Sequence, residues 1–173
     1  MKQYTKKDIR EFLIESNAIE GKYDKIFLDN SLKAWEYAFK NKNKIDISYI
    51  LKIHFLLAIE NDKSIAGKFR DCDVWFCGSR KKNHGPHGFE IMVNGWINSC
   101  DINKIKKLDN KESIILNWHL DFQDIYPFRD YNGSVGRILL NIHRFLVGLP
   151  ILIIHEGEEQ VNYYNLFTSR NIA

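Results

Sequence analysis

A chain of 173 residues is long enough for one domain with a substantial core and hardly long enough for two. Its 45% hydrophobic and 13% aromatic content excludes global disorder, and only three prolines with sparse glycine favour helices over a turn-rich β sandwich. A net charge of +3 with scattered basic residues is too small to imply a nucleic-acid binder; the densest cluster, Arg80-Lys81-Lys82, reads as a solvated loop. No apolar run is long enough to span a membrane, and the start Met1-Lys2-Gln3-Tyr4 lacks a leader's apolar region. Cys72, Cys77 and Cys100 are odd in number and follow no framework spacing, which fits a reducing cytoplasm.

In chain order, Thr5 is placed to cap a helix running to about Glu20, with Ile9, Phe12, Leu13 and Ile19 near one face and Gly21 as its stop. Leu32, Trp35 and Phe39 recur at helical spacing over about 24–40. Asp46 caps a third helix at about 47–60. The helical pattern breaks over 67–91. There Val74-Trp75-Phe76-Cys77 is a short β-like run bounded by Gly78, and Gly85-Pro86-His87-Gly88 is a turn-rich return, so a hairpin or flap is expected. Helices resume at about 89–99, 111–124, 133–147 and 158–168. Pro127 ends the helix before it. The expected fold class is all-α, a helical bundle with one small β-hairpin flap, in a single domain spanning 1–173.

The most informative stretch is 126–137, Tyr-Pro-Phe-Arg-Asp-Tyr-Asn-Gly-Ser-Val-Gly-Arg. A glycine-containing turn opens directly into the apolar run Ile138-Leu139-Leu140-Asn141-Ile142. A helix that starts this way presents free N–H groups and the positive end of its dipole, which suits a phosphate. Asp130 adds a metal-type oxygen ligand, Asn132 an amide and Arg137 a fork-shaped cation. Each also has an ordinary role open to it: a loop carboxylate, a helix start and a surface ion pair.

The stretch resembles the signature of the Fic (Fido) family of nucleotidyl transferases, His-Pro-Phe-x-Asp/Glu-Gly-Asn-Gly-Arg-x-x-Arg. Pro127, Phe128, Asp130, Asn132, Gly133 and Arg137 fit it. Tyr126 stands in place of the catalytic His, Tyr131 in place of Gly or Ala, and Ser134 in place of the first Arg. His119, Phe122 and Ile125 precede the signature with the family's spacing. Ala66-Gly67-Lys68-Phe69-Arg70 with Val74 and Gly78 resembles the approach to its flap, and Gly148-Leu149-Pro150 with Tyr163-Tyr164 the segment that follows. The core of the resemblance covers about 46–170. Upstream, at about 4–21, Ser16-Asn17-Ala18-Ile19-Glu20-Gly21 resembles the family's inhibitory motif, Ser/Thr-x-x-x-Glu-Gly/Asn.

The resemblance implies an adenylyltransferase fold, moving AMP from ATP to a Ser, Thr or Tyr hydroxyl of a target protein. Asp130 would bind Mg²⁺. Asn132 with the backbone of Gly133, Ser134, Val135 and Gly136 would cradle phosphates, and Arg137 would hold the γ-phosphate. Val74, Trp75 and Phe76 would clamp the target segment by strand addition. Ser16, Glu20 and Gly21 would form the inhibitory element, with Glu20 in a bidentate pair with Arg137. The base position is the difficulty, because a phenol titrates near 10 where an imidazole titrates near 6.5. An impaired transferase is therefore expected. The alternatives are a non-catalytic module that binds a nucleotide or a regulatory protein partner, and a transfer from another phosphate-containing donor. No other histidine offers a base: His119 reads as structural, His54 as core, and His143 lies too far along its helix. His84 and His87 lie near Cys72 and Cys77 with a spacing that fits no standard zinc pattern, so no structural metal is expected. Neither a nucleic-acid nor a membrane partner is expected.

Overall fold

A computed structural model of the chain describes residues 4–170. The leader-free start expected at Met1–Gln3 lies outside the described residues. Helix α1, Lys6–Ala18, begins with a capping box in which the Thr5 hydroxyl accepts from the Asp8 N–H at 3.1 Å and Asp8 accepts from the Thr5 N–H at 3.0 Å. It ends in a Schellman motif. Gly21, at φ 65°, donates to the Ala18 carbonyl at 2.8 Å, and Lys22 donates to the Asn17 carbonyl at 2.9 Å. The chain then continues through α2, Lys25–Lys40, and α3, Ile47–Ala58, whose Asp46 cap accepts from Tyr49 N–H at 2.8 Å.

Strands β1, Val74–Phe76, and β2, Ser79–Lys81, form the expected antiparallel hairpin, with Trp75 opposite Arg80. Its two turn residues, Cys77 and Gly78, both have positive φ (46° and 76°), the backbone that a two-residue hairpin turn requires. Gly85-Pro86-His87-Gly88 does not form the expected return loop; it is the first turn of α4, Gly85–Asn98. Proline suits that position because the first-turn N–H it lacks would have no helical partner. The expected helix at about 89–99 thus starts four residues earlier. A one-turn helix, α5 (Ile102–Ile105), lies below the length at which periodicity is readable. Helices α6, Lys111–Ile125, α7, Asn132–Leu146, and α8, Glu158–Arg170, complete the chain. Among the described residues no helix is long and apolar enough to cross a membrane.

Helix α7 is the centre of the bundle. From Ser134 to Arg144 every residue is buried, so it packs on all sides rather than along one stripe. Phe12, Trp35, Ile50, Ile53, Phe122 and Phe128 belong to the main core with Val135, Ile138, Leu139 and Ile142. α6 lies against α7, and Trp96 of α4 stacks on Trp118 of α6 at 3.5 Å. Each indole N–H of that pair donates to the other's backbone carbonyl, at 2.8 and 2.9 Å, so neither polar handle is left unsatisfied.

Three buried histidines are held neutral by burial, His54 at about 4, His119 at about 3 and His143 at about 4. These folded values lie below the unfolded one of about 6.5, so the unfolded chain takes up protons first as the pH falls. Stability is full above about pH 6.5 and declines toward pH 4, by about 3 kcal/mol per histidine at the limit. His155, raised by its hydrogen bond to Glu159, acts in the opposite direction but is exposed and screened. The urea midpoint is expected to fall clearly between pH 7.5 and pH 5, a window above most carboxylate titrations. A flat midpoint there would refute the buried neutral state.

Candidate functional site

The signature loop joins the end of α6 to the start of α7, and both junctions are left-handed. Tyr126 has φ 48° and ψ 60°, and Tyr131 has φ 62° and ψ 11°. A left-handed non-glycine residue costs on the order of 1–2 kcal/mol, so the loop must be fastened from outside. It is. Arg70, almost fully buried, donates through Nε to the Tyr126 carbonyl at 2.8 Å. Its other nitrogens donate to the carbonyls of Cys72, Lys81 and Lys82, tying the flap to the loop. His54 stacks flat on Phe128 at 3.9 Å. Its Nδ1 accepts from the Gly67 N–H at 3.0 Å, so the proton sits on Nε2, which donates to the Asp130 carbonyl at 3.2 Å.

The side chain of Asn132 completes this frame and does not face a ligand. Its Nδ2 donates to the Phe128 carbonyl at 2.8 Å and its Oδ1 accepts from the Phe128 N–H at 2.9 Å. Val135 N–H is bonded to the Tyr131 carbonyl at 2.9 Å, so that amide belongs to the helix ladder rather than to an anion site. No side chain caps α7, which leaves the first-turn amides of Asn132, Gly133 and Ser134 beyond the ladder. Gly136 faces α6. A Cβ there would lie 2.0 Å from Gln123 Nε2, and its carbonyl accepts from His119 Nδ1 at 3.0 Å. His119 Nε2 then accepts from the Tyr163 hydroxyl at 2.8 Å.

The space above the start of α7 is filled by Glu20. A Cβ on Gly133 would sit 2.2 Å from Glu20 Oε1, so the absent side chain is what admits the carboxylate. Arg137, 2% exposed, donates through Nη2 to Glu20 Oε1 at 2.8 Å. The expected bidentate pair is not formed. Ser16 takes Nε at its hydroxyl, 2.8 Å, and shares Nη2 at its carbonyl, 2.9 Å. Ser16 and Glu20 thus meet Arg137 from one side of the end of α1, as their four-residue spacing predicts.

Beside this contact lies a cleft of about 250 Å³ lined by Glu20, Gly133 and Arg137, by Tyr126, and by Trp75 and Phe76 of the flap. The structure therefore gathers the expected base position, inhibitory residue, phosphate arginine and flap around one space. Phe76 stacks on Tyr126 at 4.7 Å, whereas Trp75 is 70% exposed. Burial, with the negative charges of Glu20 and Asp130, pushes the Tyr126 phenol well above its usual 10. It therefore stays neutral at physiological pH. Asp130 stands at the edge of the loop, half-exposed, with Lys22 Nζ 3.2 Å from Oδ2. Ser134 Oγ is buried without a hydrogen-bond partner. Among the described residues no three His, Cys, Asp or Glu side chains gather as a metal site. His84 packs edge-on to Phe89, and His87 pairs with Glu90. Arg70 and Lys22 are the site residues that sequence reasoning missed: Arg70 bonds only to backbone carbonyls, which leave no trace in composition, while Lys22 follows Gly21 directly.

The architecture is the Fic fold. It is similar to a solved Fic-domain signalling protein from Bacteroides thetaiotaomicron, with a TM-score of 0.77 and 19% identity over 96% of this chain and 72% of that one. It is similar also to Fic-1 from C. elegans, with a TM-score of 0.75 and 18% identity over 97% of this chain and 57% of that one. In sequence, the chain is 27% identical over 162 residues to a protein adenylyltransferase Fic from Aedes aegypti, and 25% identical over 162 residues to one from Culex quinquefasciatus. These alignments cover 91% of this chain but 31% of each relative, so the chain spans about a third of their length. No family model matches. Together the likenesses support the Fic domain family.

Gly136→Ala tests the close packing of α6 on α7. Alanine gains about 1 kcal/mol in helix propensity, while forcing a methyl into Gln123 and His119 costs about 1–3 kcal/mol. A net loss of thermal stability is expected; a neutral or stabilised variant would show that the contact is loose.

Proposed function

We propose that this chain is a Fic-type adenylyltransferase domain held shut by its own N-terminal segment, and that its transfer of AMP from ATP to a protein hydroxyl is impaired. The observation that carries the reading is the Glu20 carboxylate at the start of α7, bonded to buried Arg137. A helix N-terminus with a buried guanidinium is an anion site, and here the anion is supplied by the chain itself. Phosphates of ATP would compete for the same donors. Removing the carboxylate would leave a buried, partly paired arginine, which favours binding of an external anion.

The residues fit ATP with Mg²⁺. Gly133 leaves room for an oxyanion, the Ser134 hydroxyl is buried and unpaired, and Asp130 presents one exposed carboxylate of the kind Mg²⁺ takes together with phosphate oxygens. When bound, the metal would neutralise phosphate charge. Asn132, His54 and Arg70 would hold the loop in shape for binding. Trp75 and Phe76 would present the flap edge to a target protein carrying a Ser, Thr or Tyr hydroxyl. Tyr126 would be the weak point. A phenol raised by burial cannot accept the target's proton near pH 7, and general-base catalysis is typically worth 10²–10⁴-fold. The same observation favours a second reading, a non-catalytic nucleotide- or partner-binding domain that regulates another protein. The proposed setting is the cytoplasm, on the three unpaired thiols.

Calorimetric titration of ATP with Mg²⁺ into the wild type and Glu20→Gly is the direct test. Binding at least about tenfold tighter in the variant is expected, as for loss of about 1.4 kcal/mol of competition. Equal affinity, or none in either protein, would remove the inhibitory reading. Labelling of lysate proteins by ATP carrying a labelled α-phosphate tests the base. Glu20→Gly with Tyr126→His should label at least about 100-fold more than Glu20→Gly alone. If a folded, ATP-binding double variant stays silent, the defect is not at position 126 alone and the regulatory reading gains.

A further inference from the structure

We infer that Lys22 is the cationic half of the same plug: its ammonium occupies Asp130 where a nucleotide-bound divalent cation would be held, so one short motif blocks both the anion and the cation side of the site. The inference rests on the nucleotide reading above and adds to it a residue outside the inhibitory motif. Lys22 Nζ lies 3.3 Å from Asp130 Oδ1 and 3.2 Å from Oδ2, in contact with both carboxylate oxygens. The same nitrogen sits 3.5 Å from the centre of the Tyr131 ring, and its side chain is only 15% exposed. A carboxylate and an aromatic face together hold a partly desolvated ammonium more firmly than a surface ion pair does.

Two further features make this a built contact. Asp130 Oδ1 also accepts from the Tyr131 N–H at 2.6 Å, which aims the carboxylate. The Tyr131 ring is buried against His54 and lies under the lysine, so the aromatic residue that replaces a small one in the signature is what seats the cation. Glu20 and Lys22 flank Gly21 in the Schellman motif, whose two backbone hydrogen bonds fix them relative to one another. The motif fixes the two backbones, while each long side chain can leave its own partner by rotation about its own bonds. A metal-loaded nucleotide competes at both ends of the motif, at Arg137 with its phosphates and at Asp130 with its cation. A metal-free nucleotide competes at one end only. Lys22 thereby makes release selective for the metal complex.

The test is calorimetric titration of ATP into the wild type, Lys22→Met and Glu20→Gly, once with excess Mg²⁺ and once with EDTA. Lys22→Met should tighten binding about tenfold with Mg²⁺ and change it less than about twofold with EDTA. An equal change under both conditions, or none, overturns the proposal. Amide hydrogen exchange over residues 19–23 reads the latch without any nucleotide. Lys22→Met and Asp130→Asn should each speed exchange severalfold, and the double variant no further, because both remove one contact. Unchanged or additive rates overturn the latch. If Glu20→Gly binds no ATP even with Mg²⁺, the nucleotide reading fails and takes the metal half of this proposal with it, while exchange still decides whether Lys22 holds the segment down.

Discussion

The buried guanidinium of Arg137 is the constraint around which the rest is arranged. It lies on the helix that packs against α1, α2, α3 and α6, and removing such a charge from water costs several kcal/mol unless its donors are met. Nε and Nη2 are met from one place, the last turn of α1 and the turn that follows it. The N-terminal helix is thus bound to the core by a polar requirement as well as by Phe12 and Leu13. The same requirement makes the contact replaceable. A carboxylate oxygen is one of several anions that satisfy a guanidinium, and Glu20 is the only charged partner among the three contacts drawn to it.

The loop that leads to Arg137 keeps its shape despite two bulky residues in left-handed conformations. Tyr126 and Tyr131 stand where the resemblance would place a histidine and a small residue. The backbone around them is fastened by groups remote in sequence. Arg70 holds the Tyr126 carbonyl, His54 holds the Asp130 carbonyl, and Asn132 brackets Phe128. The substitutions fall on what the loop presents, and the fastenings that decide its path remain. Under the proposed function, that separation would let the loop keep its path while the group at the base position changes.

Much of this was legible in the residues. Thr5, Asp46 and Gly21 marked helix ends because caps and left-handed stops are local physics. The hairpin was legible because Cys77-Gly78 closes a run of β-formers. The first turn of α4 was misread because Gly85 and Pro86 signal a turn in most contexts and a helix start in a few; only the packing of Phe89 and Val93 selects between them. The same limit applied to Asn132 and Val135. Their position in the motif suggested a phosphate cradle, while their hydrogen bonds are spent on the loop and the helix ladder.

The sequence by itself determined the helices, the flap, the order of the motif and the placing of Ser16 and Glu20 on one side of the end of α1, because each depends on neighbours within about five positions. It also determined that position 126 carries a phenol, whose intrinsic basicity is set by its own chemistry. The tertiary structure decided which group each polar side chain answers. It split the donors of Arg137 between Ser16 and Glu20, set Lys22 on Asp130 and Tyr131, and turned Gly136 toward α6. Those outcomes depend on distances between segments separated by up to 121 residues, and they are set by how tightly α1, α6 and the signature loop close on α7.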